Sequence, residues 1–424
     1  MVIMEVGTFF LLICTFAVFP TVRLQEPPTP NITTPNITAP NITAPNITAP
    51  NIKDLVFNNF DFAINLYRKI SSHHDNNIFF SPLCVSTAFA TLSLAAKGST
   101  LSQILTGLNL AALERKGQSE LIPQLFHNLQ GNITQHEAMK LHQGTALFVQ
   151  LNYEVEKAFS DQIKKFFNAD VFNVDFGKPA VSMANINEYV KQRTGDKVKQ
   201  MVTSIEPLTQ LMLLNTIFFQ GDWEFPFDPN NTRNDRFYIN KYNILQVPMM
   251  FKEDKFYITD DDEMNVRVLR LPYLGGAAML IALPDENVDY TVIDDEISAD
   301  RFQKWINNLK KRKLEVHIPK FKMEQSYPLH KILPDLGIEN IFEDSANLTG
   351  LSKEPGLKVS QVLHKAVIEV DEIGTRAAAA TSVGITAYSL PQIFCVDRPF
   401  FFFIYHEATN SLLFMGRVID PTDK

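Results

Sequence analysis

The segment that most constrains this chain lies near its C-terminus, between strand-like runs at residues 367–370 and 400–405. Residues 372–391 read Glu-Ile-Gly-Thr-Arg-Ala-Ala-Ala-Ala-Thr-Ser-Val-Gly-Ile-Thr-Ala-Tyr-Ser-Leu-Pro. With the two-residue period of a strand, one face carries Thr375, Ala377, Ala379, Thr381, Val383 and Ile385. The other carries Arg376, Ala378, Ala380, Ser382, Gly384 and Thr386. The first face is small and uncharged throughout, as a strand that must enter a preformed sheet requires. A segment that only had to stay solvated would have no reason to keep charge off alternate positions. Arg376 sits on the face that can remain in water. The same residues also fit an Ala-rich linker or a turn of helix.

The neighbouring motifs separate these readings. Ser81-Pro82, Asn215-Thr-Ile-Phe-Phe-Gln-Gly-Asp-Trp223, Leu271-Pro-Tyr273, Val359-Ser-Gln-Val-Leu-His364 and Arg398-Pro-Phe400 resemble, in order and spacing, signature segments of the serpins. The resemblance runs from about residue 53 to the end. It implies an α+β serpin fold: a large central β-sheet, further sheets, surrounding helices and an exposed reactive-centre loop. The loop would be the segment above, with its hinge at Glu372, Gly374, Thr375, Ala377, Ala378, Ala379 and Ala380. Counting from the hinge places the scissile bond at Tyr388-Ser389. Ser81, Ser86, Asn215 and His364 match the family's shutter, the polar cluster beneath the sheet where the loop inserts. Trp223 matches the breach at the top of that sheet. The implied activity is suicide inhibition of a serine protease, by a monomer.

Taken from its start, the chain falls into three parts. Residues 9–19 form an apolar core of signal-peptide length, with Glu5 where a basic residue usually stands, so residues 1–24 are read as a signal peptide and the protein as secreted. Residues 25–52 repeat Pro-Asn-Ile-Thr-Ala, too short and proline-rich a period to build a core. They read as a disordered, glycosylated tail with sequons at Asn31, Asn36, Asn41 and Asn46. Residues 53–424 form the folded domain, with further sequons at Asn132, Asn230 and Asn347. Cys14 would leave with the signal peptide, and Cys84 and Cys395, both in apolar surroundings, read as buried free thiols.

Within the domain, residues 60–69 show helical periodicity, and residues 78–82 read as a short strand entering a helix. Ser81 is the expected N-cap, Pro82 the first helical residue, and the helix itself is expected over 83–96. Strands are expected at 145–149, 210–219, 267–271, 279–283, 314–318 and 400–405, several apolar on both faces. Their irregular interspersion with helices gives α+β rather than a doubly wound sheet.

Motifs of enzyme chemistry are missing from the sequence. It has no Gly-x-Ser-x-Gly elbow, no His-Glu-x-x-His, no phosphate-binding Gly-rich loop and no cysteine pair at metal spacing, so no catalytic residue, metal or cofactor is expected. His364 lies in an apolar run, where a structural role is the commoner one. The net charge of −8 argues against nucleic acid as a partner, and nothing after the first twenty-odd residues is apolar enough for membrane insertion. Lys310-Lys-Arg-Lys313 is expected in the last turn of a helix, complementing its dipole rather than binding a polyanion. Residues 101–115, which correspond to the heparin site of some serpins, carry little positive charge.

Target preference reads two ways. Tyr388 alone suits a chymotrypsin-like protease, because an aromatic side chain needs a deep apolar pocket. Residues 385–391, 396–400 and 416–418, however, resemble those serpins that control coagulation factors Xa and XIa, using protein Z as cofactor for the first. Lys241-Tyr242 resembles part of the cofactor-docking surface, although Asn240 replaces an aspartate there. A third alternative is a carrier or chaperone serpin that inhibits nothing. The hinges of such serpins typically carry bulky, charged or proline residues on the inserting face, and this hinge does not.

Overall fold

A computed structural model describes residues 50–135, 139–198, 200–372 and 391–423, all within the compact unit Ala49–Lys424. The helices are α1 (Ile52–Ser71), α2 (Pro82–Ser93), α3 (Gly98–Gly107), α4 (Leu121–Ile133), α5 (Lys157–Phe167), α6 (Pro179–Arg193), α7 (Tyr290–Glu296) and α8 (Ala299–Asn308). The first strands are β1 (Ile78–Phe80), β2 (Lys140–Gln150), β3 (Asp170–Val174), β4 (Leu211–Gln220), β5 (Arg233–Tyr238), β6 (Ile244–Asp261) and β7 (Val266–Pro272). They are followed by β8 (Ala277–Pro284), β9 (Lys310–Pro319), β10 (Phe321–Pro328), β11 (Gln361–Val370), β12 (Gln392–Cys395), β13 (Phe400–His406) and β14 (Ser411–Val418).

These strands form two sheets, one of five strands in the order β10-β11-β4-β2-β3, the other of nine in the order β1-β14-β13-β8-β7-β6-β9-β12 with β5 on β6. The central strand of the five-stranded sheet, β4, is buried on both faces, which is why it reads as apolar on both sides of Asn215-Thr216. Alternate residues go to opposite sides. Met212, Leu214 and Phe218 pack with Ile186 and Val190 of α6 and with Val198 and Val202 beyond it. Leu211, Leu213, Ile217 and Phe219 join the main core, which contains α1, α2 and the inner face of the nine-stranded sheet. Asn215 falls on this second side by the same period.

The ends of several elements depart from expectation, each for a local reason. The first helix begins at Ile52 because Asn51 caps it: Asn51 Oδ1 accepts the Lys53 and Asp54 N–H groups, and the Asp54 carboxylate accepts the Asn51 N–H. At the second helix Ser81 and Pro82 stand as expected, but the helix stops at Ser93, short of 96. Beyond it the Ala95 carbonyl accepts the Gly350 N–H at 3.0 Å and the Lys97 N–H reaches Asn347, at a contact so close that a Cβ on Gly350 would lie 2.8 Å from Ala95 O.

Two expectations are corrected. Residues 310–313 open a strand rather than close a helix: α8 ends at Asn308, and Lys310, Lys311, Arg312 and Lys313 pair in register with Ile258, Tyr257, Phe256 and Lys255 of β6. Backbone pairing thus takes precedence over the dipole, and Arg312 and Lys313 find carboxylates on Asp260 and Glu253. Cys84 is buried, but Cys395 is half-exposed because it lies on β12, the last strand of its sheet. Both are free thiols.

Candidate functional site

Strands β4 and β11 are neighbours in the five-stranded sheet and run parallel, in unbroken register from Gln361 opposite Met212 to Ile368 opposite Phe219. Each has an antiparallel partner on its other side, β2 for β4 and β10 for β11. The chain leaves β11 at Val370. A segment that folds back from there would run antiparallel to both seam strands, exchanging one parallel ladder for two antiparallel ones, which are slightly more stable per residue.

A buried polar cluster crosses this seam. His364 of β11 lies opposite Asn215 of β4, and Nδ1 stands 2.8 Å from Asn215 Oδ1. Ser81 N–H donates to His364 Nε2 at 3.0 Å, so Nε2 carries no proton and Nδ1–H is the donor to Asn215. Asn215 Nδ2 in turn donates to Thr145 Oγ1 of β2 at 3.0 Å. Ser81 joins the cluster to the helix below: its Oγ–H donates to Leu413 O at 2.7 Å while accepting the Cys84 N–H as cap of α2. Burial pushes His364 down to about 3, against the opposing effect of its Asn215 bond, and keeps it neutral. Ser86 is fully buried on the same helix, and its Oγ has no hydrogen-bond partner among the described residues.

The seam's C-terminal end is fastened separately. The Trp223 indole N–H donates to Asp371 O at 2.8 Å, its ring stacked on Tyr273 at 4.2 Å. Glu372 follows, its carbonyl accepting the Phe227 N–H at 2.9 Å. The Glu372 carboxylate accepts the Thr232 hydroxyl at 2.7 Å and the Lys320 ammonium at 2.6 Å. Burial opposes its ionisation, but Lys320 and Thr232 together outweigh that and hold the carboxyl below its usual range. None of the groups in either cluster is arranged as a nucleophile with its base. The arrangement can do one thing chemically: hold two strands together through bonds that break if the strands separate.

A family model described as serpin (serine protease inhibitor) matches residues 57–421. The chain is a serpin. Mouse protein Z-dependent protease inhibitor is 39% identical to it over 362 residues, 85% of this chain and 81% of that protein. Human plasma serine protease inhibitor is 37% identical over 365 residues, 85% and 89% of the two chains. Among solved structures, mouse protein Z-dependent protease inhibitor superposes with a TM-score of 0.82 at 37% identity, covering 88% of this chain and 98% of the other. Human thyroxine-binding globulin with its hormone superposes with the same TM-score, 0.82, at 33% identity, covering 88% and 99%.

In this serpin the structure brings Ser81, Asn215 and His364 into one hydrogen-bonded chain, leaves Ser86 buried on α2 with no bond to them, and fixes Trp223 at the origin of the loop segment. Of the sequence-derived hinge, Glu372 alone is described. Gly374, Thr375, Ala377, Ala378, Ala379, Ala380, Tyr388 and Ser389 lie outside the described residues, as do Asn31, Asn36, Asn41 and Asn46. Tyr242 is exposed in the turn between β5 and β6, where Asn240 Oδ1 accepts the Tyr242 and Asn243 N–H groups at 2.9 and 3.0 Å. Asn132, Asn230 and Asn347 are all exposed. Sequence reasoning missed Thr145, Thr232 and Lys320. Thr145 opens the apolar run 146–149 and carries no local mark of its role, and nothing local marks Thr232 or Lys320 as partners of Glu372.

Proposed function

We propose that this serpin is a secreted, glycosylated, monomeric inhibitor of serine proteases that is cleaved at Tyr388-Ser389 and inserts residues 375–386 between β4 and β11. The observation that carries this reading is the parallel seam with a polar cluster across it, followed in the chain by a sequence whose alternate residues from Thr375 are uncharged. About ten inserted residues would make on the order of ten new backbone hydrogen bonds, each worth roughly 1 kcal/mol net. That rivals the about 5–15 kcal/mol that stabilises an ordinary domain. The uncut form is then a kinetic trap, and cleavage releases it while the protease is still acyl-linked to Tyr388. Insertion drags the protease away from its docking position and distorts its active site. Ser81, Asn215, His364 and Trp223 govern how readily the seam opens, and no residue acts on a substrate.

For the cofactor, the names of the relatives support protein Z; factor Xa, docked through it, and factor XIa rest on the resemblance of residues 385–391, 396–400 and 416–418. Tyr242, exposed on its turn, is the residue that would meet protein Z. A cofactor that holds the pair together supplies what tyrosine lacks in a trypsin-like pocket. Tyr388 itself favours a second reading, inhibition of chymotrypsin-like proteases without a cofactor. The experiment is to mix purified protein with chymotrypsin, with factor XIa, and with factor Xa with and without protein Z on lipid. An SDS-stable complex with one of them supports inhibition and names the target, whereas cleavage without any complex leaves a carrier.

A further inference from the structure

The sequon at Asn230 differs from the other two in where it stands. Asn132 lies near the end of α4 and Asn347 in a loop packed on α3. Asn230 lies in a short turn, residues 229–231, within the segment that fastens the origin of the loop. Three residues before it, Phe227 N–H holds the Glu372 carbonyl at 2.9 Å; two residues after it, the sequon's own Thr232 holds the Glu372 carboxylate at 2.7 Å. Two residues of chain span at most about 7 Å, so a sugar on Asn230 starts beside Glu372. Asn230 is exposed, and its Nδ2 donates to Asp228 Oδ1 at 3.0 Å. The Asn230 backbone N–H donates to the same Asp228 Oδ1 at 2.9 Å, a bond that glycosylation of the side chain leaves in place.

We propose that Asn230 carries an N-linked glycan that shields the seam's C-terminal end from strands of other molecules while leaving it open to the chain's own loop. In the modification, Nδ2 displaces pyrophosphate from C1 of a lipid-pyrophosphate-linked oligosaccharide. The N–C1 bond forms, the C1–O bond breaks, and the proton lost from nitrogen leaves with the lipid pyrophosphate. The selectivity follows from connectivity. Residue 373 is bonded to Glu372, so an inserting segment of this chain would start inside the glycan's radius, but a second molecule must approach through the volume that the bulky, hydrated sugar occupies. Two parallel strands that can part present unpaired backbone groups to any extended segment, so a seam without such a shield is open to intermolecular pairing. The proposal rests on the loop-insertion reading above.

The test uses protein secreted from eukaryotic cells: wild type, Asn230→Gln, Thr232→Ser, and Asn132→Gln with Asn347→Gln. Intact mass and glycopeptide mapping read occupancy, and native gels after mild heating read oligomer formation. Complex formation with chymotrypsin or factor XIa reads insertion of the chain's own loop. The expected result is an occupied Asn230 in the wild type and several-fold faster oligomerisation of Asn230→Gln, with an unchanged yield of protease complex. Enzymatic removal of glycans from folded wild type should reproduce the acceleration, independently of any folding defect in the variant. Thr232→Ser keeps both sequon and hydroxyl and should match wild type, as should the Asn132/Asn347 double variant. An unmodified Asn230, or oligomerisation no faster after its loss, overturns the proposal. So does acceleration in Thr232→Ser with its glycan in place, which would assign the effect to the turn. Failure of the inhibitory reading looks different: wild type then forms no protease complex at all.

Discussion

Acidification should weaken this serpin through His364 by an amount that the buried cluster sets. In the unfolded chain the imidazole titrates at its ordinary value of 6.5, and in the folded protein burial depresses it to about 3. The folded state therefore prefers the neutral ring. The stabilisation is complete above the unfolded value and is lost as pH falls from 6.5 toward 3, at about 1.4 kcal/mol per unit. Between pH 7 and 5 the loss from this residue alone comes to about 2 kcal/mol. Geometry gives the same sign: a protonated ring would present a second N–H toward the Ser81 N–H, which needs Nε2 as its acceptor. The assay is urea unfolding of wild type and His364→Gln at pH 7, 6 and 5. Groups common to both proteins, His330 among them, cancel in the difference. The variant should start less stable and lose about 2 kcal/mol less than wild type over this range. Parallel losses in the two proteins would refute the assignment of His364 as a neutral residue across the seam.

Three further outcomes are expected. Glu372→Lys removes the carboxylate bonds to Thr232 and Lys320 and sets two ammonium groups together, which should cost about 2–3 kcal/mol in urea unfolding once the partial exposure of Lys320 is allowed for; an unchanged midpoint would mean that the clasp carries no weight. Thr375→Arg should turn the inhibitor into a substrate, because an unpaired charge at the first inserting position costs at least about 3 kcal/mol while Tyr388 stays intact. Arg376→Glu, on the opposite face, should leave the ratio of complexed to cleaved protein on SDS gels near that of wild type, and equal damage from the two substitutions would contradict the alternating-face reading. Tyr388→Arg should redirect inhibition to trypsin-like enzymes without cofactor, since a guanidinium pairs with an acidic pocket; rate constants for trypsin and chymotrypsin decide it, and an unchanged preference would place the scissile bond elsewhere.

Much of this molecule can be read without its fold. The strands at 211–220 and 400–406 announce themselves as apolar runs, Ser81-Pro82 as a helix start, and the five ordered motifs as a serpin. These features are local, or repeat a local pattern in a fixed order, and local propensity and spacing suffice for them. Residues 310–313 show where local reasoning stops: four consecutive basic residues carry no period of their own, and only the register against β6 makes them a strand.

The site divides along the same line. Sequence places Ser81, Asn215, His364 and Glu372 on their elements, but each of their decisive bonds joins residues far apart in the chain: His364 to Asn215 across 149 positions, Ser81 to His364 across 283, Thr232 to Glu372 across 140. Such a bond depends on which strands are neighbours and in what register. Tertiary packing decides that, because one strand's pattern of apolar and polar residues is satisfied equally by many partners. The neutrality of His364 is likewise a property of the fold. An imidazole in an apolar stretch of sequence has its ordinary affinity for a proton until β4, β11 and the start of α2 close around it and remove the water that its charged form would need.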